Sequence, residues 1–263
     1  MVGTAEKYGG GCNGKNPWTF AGATALTAAT RPGEASPRRR KRALGLLARI
    51  TAGGLALLAL ALAAGALLPV PSTLMLWRFA TGESVTRIWV PLDRISPELV
   101  RAVIAAEDQN FCSHSGIDWG ALREVLNDED GPTRGGSTIS MQTVKNVYLW
   151  HGRSYVRKGL ELPLALAADL AWSKHRMMEV YLNVAEFGEG LFGVEAASRR
   201  YFGKPAAALT RREAAALAAA LPNPRLRNPA LASPRARTNG LRIHSRIAAL
   251  GERAQCALRA SGP

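Results

Sequence analysis

The chain has 263 residues and a formal net charge of +14 at neutral pH. This length suits one domain of ordinary size with additional segments. Half of the charge, +7, lies in residues 1–69, where nine Lys and Arg accompany two Asp and Glu, so the excess does not indicate a nucleic-acid-binding face. The three cysteines match no zinc spacing and the four histidines are far apart, which argues against a metal site built from these residues.

The first predicted segments are a cytoplasmic tail and a membrane anchor. Residues 1–42 form a basic tail, whose Gly-, Ala- and Thr-rich part lacks periodicity and is typical of disorder. Residues 43–69 are predicted to be the anchor, because the core 50–68 has no charge and a bilayer core needs about 20 such residues. A buried core helix is rarely this long without a polar face, and a cleaved signal peptide begins closer to the N-terminus.

The basic residues beside this span predict its orientation. They are Arg38, Arg39, Arg40, Lys41, Arg42 and Arg49. Because positive charge stays on the cytoplasmic side, the N-terminus is predicted inside and residues 70–263 outside.

Residues 70–263 are predicted to form a mostly α domain. The helical segments in chain order are SPELVRAVIAAED (96–108), DWGALREVL (118–126), STISMQTVKNVYLW (137–150), VRKGLELPLALAADLAW (156–172), SKHRMMEVYLNVAEF (173–187), VEAASRRYF (194–202) and TRREAAALAAAL (210–221). Ser96 is a predicted N-cap, Pro163 is predicted to break the fourth segment, and Thr210 with Glu213 forms a capping box. A last helix starts near Pro234, and strand signals are confined to residues 86–90.

Glu107 is the first candidate for chemistry. The apolar stripe of its helix runs through Leu99, Val103 and Ile104, and helical spacing extends that stripe to Glu107. A partly buried carboxylate is a better general base near neutral pH. The alternative is a solvated glutamate at a helix end, or one paired with a nearby arginine.

The stretch EDQNFCSHSGID places Asp108, His114 and Asp118 beside Glu107 in a turn between two apolar helices. Polar groups packed there are costly unless they have partners or a function. A helix-capping loop, with Asp118 as N-cap and His114 satisfied locally, is the simpler interpretation, and it leaves Glu107 unexplained.

The stretch RGGSTISMQTVKN has the features of an anion site. Ser137 or Thr138 can cap the following helix, whose backbone N–H groups then face outward. Gln142 and Lys145 share a helical stripe with Thr138. An ordinary capped surface helix fits the same residues, and the lysine position excludes a Walker A loop.

A third group, HGRSYVRKGLE, contains Arg153, Arg157, Lys158 and Glu161. Such spacing often forms a solvated helical ion-pair cluster, but here an apolar helix follows at once. The nearby GEGLFG (188–193) is formally a dinucleotide motif; because helix and not strand precedes it, it is interpreted as a turn between helices.

In this order, these stretches resemble the motifs of the peptidoglycan glycosyltransferases, glycosyltransferase family 51. E-D-x-x-F-x-x-H-x-G-I-D matches from Glu107 to Asp118, and G-G-S-T-I-S-x-Q-x-x-K-N matches at 135–146, where Met141 replaces the first glutamine of a common version. R-K-x-x-E matches at Arg157, and EVYLNVAEFGEGLFG and LTRREAAALAAALPNP follow. The motifs span 107–230. The absence of S-x-x-K and K-T-G makes the chain most similar to the monofunctional biosynthetic transglycosylases, without a transpeptidase.

The resemblance implies a lysozyme-like two-lobed domain after a single transmembrane helix, with residues 74–79 in a small membrane-proximal lobe. It implies an inner-membrane enzyme that polymerises lipid II into β-1,4-linked glycan strands, with inversion and release of polyprenyl diphosphate. A lytic enzyme on the same fold and an inactive scaffold of cell-wall assembly are the alternatives. Lipid II, the lipid-linked glycan chain, the bilayer, and proteins of the divisome or penicillin-binding proteins are the implied partners.

The resemblance also assigns roles to residues. Glu107 and Glu161 are the expected catalytic residues. The expected substrate-binding residues are Asp108, His114, Ser137, Gln142, Lys145, Arg153, Arg157, Lys158 and Asn183. Mg²⁺ or Mn²⁺ at the substrate diphosphate is an expected cofactor, although no metal-ligand pattern demands one.

Cys112 and Cys256 both fall on the outer side, where a disulfide could form. Pairing cannot be deduced from sequence alone, and the expectation here favours two unpaired cysteines.

Overall fold

The structure is a computed structural model that describes residues 37–127, 135–152, 154–223, 228–229 and 234–259. The chain divides into two compact units, residues 1–52 and 53–263. In the first unit the described residues, 37–52, belong to helix α1 (Pro37–Leu67), so the expected anchor boundary at residue 43 lies inside a helix. The predicted disorder of residues 1–36 lies outside the described residues. Among those described, one helix, Arg40–Leu67, is long and apolar enough to cross a bilayer.

The second unit is mostly helical, as predicted, and each of the seven expected helical segments between residues 96 and 221 contains a helix. The helices are α2 (Thr73–Ala80), α3 (Pro97–Glu107), α4 (Trp119–Asn127), α5 (Ile139–Tyr148), α6 (Tyr155–Ala171), α7 (Lys174–Val184), α8 (Val194–Phe202), α9 (Arg211–Ala220), α10 (Pro234–Leu250) and α11 (Gln255–Leu258). The capping box of Thr210 and Glu213 is present. Ser96 is the N-cap residue of α3, as predicted, but its hydroxyl makes no capping bond and donates instead to the carbonyl of Leu209.

Helix α3 occupies the centre of the core. Its residues Leu99, Val103 and Ile104 have no exposed surface, and α9 and α10 pack against it. The facing helix α9 presents alanines such as Ala214 and Ala218, which are fully buried. Small side chains at these positions let two helix backbones approach closely, and the tight contact fixes the end of α3 where Glu107 lies.

The predicted break at Pro163 was wrong, because α6 continues through it. Proline in a helix removes one hydrogen bond and frees the carbonyl four residues earlier, here that of Gly159. Both Pro163 and Gly159 are exposed, so water can satisfy that carbonyl. Position on the solvent face is what makes the proline tolerable.

A small sheet has strand order β1-β3-β2, with β1 (Thr86–Arg87) parallel to β3 (Leu191–Phe192) and β2 (Glu186–Gly188) antiparallel to it. The strand signal at 86–90 is thus confirmed for two residues. The interpretation of GEGLFG as a simple turn between helices was wrong, since it contains the end of β2 and all of β3. Gly190 supplies the positive φ of 69° that the hairpin turn requires.

The C-terminal end of α1 packs on α5, α6 and α7. Trp172 Nε1 donates to the carbonyl of Leu62 at 2.8 Å, and the Tyr148 hydroxyl donates to that of Ala61 at 2.9 Å. Arg176 donates to the carbonyl of Gly65. A Cβ at Gly65 would lie 2.2 Å from the Trp172 ring, so glycine is needed for this close approach.

A disulfide joins Cys112 to Cys256, and the expectation of unpaired cysteines was wrong. Cys112 lies in the turn after α3, while Cys256 lies in α11, which packs against α3 and α7. The two residues are 144 positions apart, with Cα atoms 5.7 Å from one another. Only the packing of α11 brings them together, which is why spacing along the chain did not reveal the pair.

Candidate active site

Two cavities share one wall at Gln142. The first, of about 260 Å³, is lined in part by Lys145 and Arg157. The second, of about 360 Å³, is lined in part by Glu107 and Ser137. The carboxylate expected to act as a base and the cations expected to bind an anion therefore lie in adjacent cavities.

Glu107 is the last residue of α3 and is half-buried in the wall of the second cavity. Gln142 on α5 donates a hydrogen bond from Nε2 to Glu107 Oε2 at 2.8 Å. The Tyr181 hydroxyl on α7 donates in turn to Gln142 Oε1 at 3.2 Å. Burial, reinforced by the negative charges of Glu107 and Asp108, raises the pKa of Tyr181 well above its usual value, so this hydroxyl stays protonated.

The N-terminus of α5 holds an anion, but that anion belongs to the protein. The buried Asp108 carboxylate accepts from the backbone N–H of Ile139 at 3.0 Å. Thr138 caps the helix, as expected, by accepting from the N–H of Met141 at 3.1 Å. The expectation that these groups face outward toward a ligand is therefore wrong for the N–H of Ile139, because the favourable charge at the helix start is already supplied by Asp108.

His114 lies behind Asp108. Its Nε2 is 3.0 Å from both Asp108 carboxylate oxygens, and its carbonyl accepts from Lys174 at 2.7 Å. His114 lines neither of the two cavities. Gly116 completes the turn with φ of 78°, and a Cβ there would lie 2.6 Å from the carbonyl of Ala165. The contact between Asp108 and His114 therefore supports the turn after α3 from inside the domain, in agreement with the simpler capping-loop interpretation. Asp118 caps α4, as that interpretation predicted, by accepting from the N–H of Ala121 at 2.9 Å.

Glu161 is almost fully buried, with 2% of its surface exposed. One carboxylate oxygen accepts from Arg157, and the other accepts from Lys158 Nζ at 2.9 Å. The same Lys158 Nζ donates to the Ser137 hydroxyl at 2.7 Å. Glu161 thus holds two cations in place, and Ser137 connects them to the start of α5.

Lys145 interacts electrostatically with both carboxylates of the site, Glu161 and Glu107. Burial lowers its pKa below the ordinary lysine value; the negative charge of Glu161 opposes this, and the nearby cations Arg157 and Lys158 reinforce it. A cation in such a setting has lost part of its hydration and interacts strongly with an anion that enters.

Among the expected site residues that the structure describes, four line neither cavity: His114, Lys158, Glu161 and Asn183. Asn183 is fully buried, donates to the carbonyls of Val90 and Glu179, and accepts from the N–H of Val90 at 3.0 Å. Its amide is used to hold the chain near Val90, which explains its place in the motif without a substrate contact. Arg153 lies outside the described residues.

Comparison with known proteins identifies the family of this chain. A family model described as Transglycosylase matches residues 75–248. The chain belongs to this family.

Curated relatives of the transglycosylase are named biosynthetic peptidoglycan transglycosylase. The protein from Brucella suis biovar 1 (strain 1330) is 58% identical over 161 residues, which is 60% of this chain and 72% of the relative. The one from Rhodospirillum centenum (strain ATCC 51521 / SW) is 50% identical over 217 residues, 81% of this chain and 92% of the relative. The predicted peptidoglycan glycosyltransferase activity and lysozyme-like, mostly α fold are thereby confirmed, with no transpeptidase domain among the family matches.

Sequence reasoning missed three features of the transglycosylase site. They are the Tyr181–Gln142–Glu107 series, the disulfide at the turn after α3, and Arg246, which reaches the second cavity from α10. Tyr181 lies inside a recognised motif, so its position drew attention, but nothing local showed which group it contacts. Arg246 carries no sequence signal beyond its charge.

Proposed function

We propose that this transglycosylase polymerises lipid II, with Glu107 as the general base toward the acceptor. The observation that carries the proposal is the placement of a half-buried carboxylate and a group of cations in adjacent cavities on the two sides of Gln142. Transfer with inversion needs a base beside the attacking hydroxyl and positive charge beside the leaving group.

On the base side, Glu107 takes the proton from the acceptor's GlcNAc 4-hydroxyl as that oxygen attacks the anomeric carbon of the donor's MurNAc. The new bond is β-1,4 and the bond to the diphosphate oxygen breaks. The hydrogen bond from Gln142 fixes the direction in which the Glu107 carboxylate points. A base held in one orientation populates the productive rotamer and not the unproductive ones.

On the leaving-group side, polyprenyl diphosphate gains negative charge as the bond breaks. Lys145, Arg157 and Lys158 stabilise that charge, and Glu161 with Ser137 keeps two of these cations in place. Glu161 acts through the cations, because both of its carboxylate oxygens already accept hydrogen bonds from them. We therefore assign it a positioning role and not direct contact with the reacting atoms.

The residues present do not fit a protein-bound Mg²⁺ or Mn²⁺. Divalent cations of this kind bind carboxylate and carbonyl oxygens, and Glu161, the buried carboxylate beside the cations, is already shared by Arg157 and Lys158. No group of three or more His, Cys, Asp or Glu in the described part of the chain could hold a metal. In this proposal the side-chain cations neutralise the diphosphate.

Two independent features support the proposed topology. Basic residues precede the apolar helix, which predicts a cytoplasmic N-terminus and a periplasmic domain. The Cys112–Cys256 disulfide supports the same orientation, since such bonds persist in oxidising compartments and are rare in the cytosol. A periplasmic reporter fused after residue 263 should be active, and the same reporter at residue 1 should be inactive.

Glycan strands must be cross-linked by transpeptidation, and this sequence contains neither S-x-x-K nor K-T-G. That chemistry supports penicillin-binding proteins, or other proteins of the divisome, as partners in the proposed function.

The test is glycan synthesis from purified lipid II by Glu107→Gln protein. The amide keeps the size of the side chain but cannot accept the proton, so synthesis should fall by about 100-fold or more while lipid II binding persists. Glu252→Gln, on the exposed surface of the domain, is the matched control and should synthesise glycan at the wild-type rate. Near wild-type synthesis by Glu107→Gln, or release of fragments from purified sacculi by the wild-type protein, would contradict the proposal.

A further inference from the structure

Three side chains from three helices form a directed series that ends at Glu107. The Tyr181 hydroxyl donates to Gln142 Oε1 at 3.2 Å, and Gln142 Nε2 donates to Glu107 Oε2 at 2.8 Å. Tyr181 does not reach Glu107 itself in this series. The hydrogen-bonded route from the Tyr181 hydroxyl to the carboxylate therefore passes through the glutamine amide.

The two ends of a glutamine amide have nearly the same shape but opposite hydrogen-bonding character. If the Gln142 amide were reversed, its oxygen would face the Glu107 carboxylate and repel it. Tyr181 is 1% exposed, and its hydroxyl would then lose the acceptor for its proton. A buried donor without an acceptor is costly, so Tyr181 favours the orientation in which Gln142 donates to Glu107.

We propose that Tyr181 is a positioning residue that orients the Gln142 amide and thereby sets the pH at which Glu107 is ionised and able to act as a base. A hydrogen bond donated to a carboxylate stabilises its ionised form. Since the base must be ionised before it can accept a proton, the orientation of the amide controls the acid side of the rate profile. The inference rests on the proposed role of Glu107.

Other charged groups lie near Glu107, and their positions do not depend on the orientation of the Gln142 amide. Among the described residues these are Asp108 and Asp118 in the turn, Lys145 on α5 and Arg246 on α10. They act on Glu107 through space whichever way the amide points. A change confined to the Tyr181 hydroxyl therefore isolates the contribution of Gln142.

The experiment measures glycan synthesis from lipid II against pH at saturating and at low substrate concentration, with full-length Tyr181→Phe protein. The acid limb should move to higher pH by about one unit, with about tenfold slower synthesis below the limb, near wild-type synthesis above it, and an unchanged KM. Tyr201→Phe, which removes a hydroxyl that donates to the Phe187 carbonyl at 3.1 Å, is the matched control and should leave the limb in place.

A second variant separates positioning from a general loss of packing. Gln142→Met removes the donor to Glu107 and should shift the limb by itself. Adding Tyr181→Phe to Gln142→Met should then produce no further shift, because the tyrosine has no amide left to orient. This holds whether or not Tyr181→Phe also lowers the thermal stability.

An unmoved limb in Tyr181→Phe, or an equal shift when Tyr181→Phe is added to Gln142→Met, would overturn the positioning role while Glu107→Gln stays inactive. Wild-type synthesis by Glu107→Gln would instead overturn the assignment of the base. The failure of the inference and the failure of the proposed function are thus distinguishable.

Discussion

The two halves of the candidate site differ in how they are held. In the half around Glu107, Gln142 donates a hydrogen bond to the carboxylate, Tyr181 donates to Gln142, and the adjoining turn is bonded through Cys112 to α11. In the half around Lys145, several cations surround one buried carboxylate, Glu161.

The halves also differ in their external connections. Helices α5 and α6, which carry the cations, contact the end of the anchor helix through Tyr148 and Trp172. The turn that carries Asp108 and Cys112 is connected instead to α11. Changes in the half around Glu107 should therefore affect the rate of transfer. Changes in the half around Lys145 should affect diphosphate binding and the contact with the anchor.

The largest expected effect is loss of the disulfide. A bond that closes a loop of 144 residues limits the unfolded chain strongly, so Cys256→Ser should lower the free energy of unfolding by about 4 kcal/mol. Cys12→Ser is the matched control and should change nothing. Denaturant unfolding without reductant measures both, and a loss below about 1 kcal/mol would show that α11 is held to the turn without help from the bond.

Next in size is Glu161→Gln. Without its charge the buried group no longer balances Arg157 and Lys158, and breaking such a pair typically costs about 3 kcal/mol or more of unfolding free energy. Binding of the lipid-linked diphosphate should weaken as well. Glu98→Gln removes a more exposed carboxylate paired with Arg101 and Arg211, and should cost less than about 1 kcal/mol. Equal losses for the two variants would contradict the described difference in burial.

A smaller effect is expected where the anchor contacts the domain. Gly65→Ala places a methyl group against the Trp172 ring and should lower the free energy of unfolding in detergent by about 1–3 kcal/mol. Gly54→Ala, where a methyl group would contact nothing within 4 Å, is the matched control and should leave stability equal or slightly higher. If Gly65→Ala matched this control, the contact between α1 and α6 would be looser than described.

The smallest effect concerns Lys145→Ala, which should weaken binding of the lipid-linked diphosphate by about tenfold, or 1.4 kcal/mol. Because burial lowers the pKa of Lys145, wild-type binding should decline at a lower pH than for an ordinary lysine. Stability changes in the opposite direction. Between the lowered pKa of folded Lys145 and its ordinary value of about 10.5, the unfolded chain binds more protons than the folded one, so the free energy of unfolding rises with pH. Titration of binding against pH should show the decline in wild type and a smaller one in Lys145→Ala.

Local patterns predicted most of the helices and the place of Glu107. The capping box of Thr210 and the cap at Thr138 depend on residues three apart, and the stripe that reaches Glu107 depends on spacing within one helix. Contacts between distant segments could not be predicted in this way. Asp108 accepts from the start of α5, 31 residues away along the chain. The strands are only two or three residues long, too short for a clear alternating pattern, and their pairing depends on the surrounding fold.

The family motif predicted that the cations bind the diphosphate, but it did not predict which other side chains each cation contacts. Lys158 and Arg157 share Glu161, which periodicity alone indicated. The link from Lys158 to Ser137 joins two motifs that are 21 residues apart, and no spacing rule connects them. Geometry in three dimensions was needed to show that the Glu161 carboxylate accepts from Arg157 and Lys158 while Lys158 also reaches Ser137.

The disulfide has a consequence for biogenesis. The chain has three cysteines, and only Cys112 and Cys256 follow the apolar helix, so in the proposed topology the periplasmic residues of this chain allow one intramolecular pairing. Such a protein needs an oxidant but no isomerase to correct mispaired bonds. Cys256 lies in α11, 144 residues after Cys112, so the bond joins segments that meet only when α11 packs against α3 and α7. In the proposed topology, oxidation therefore follows both the export and the packing of α11.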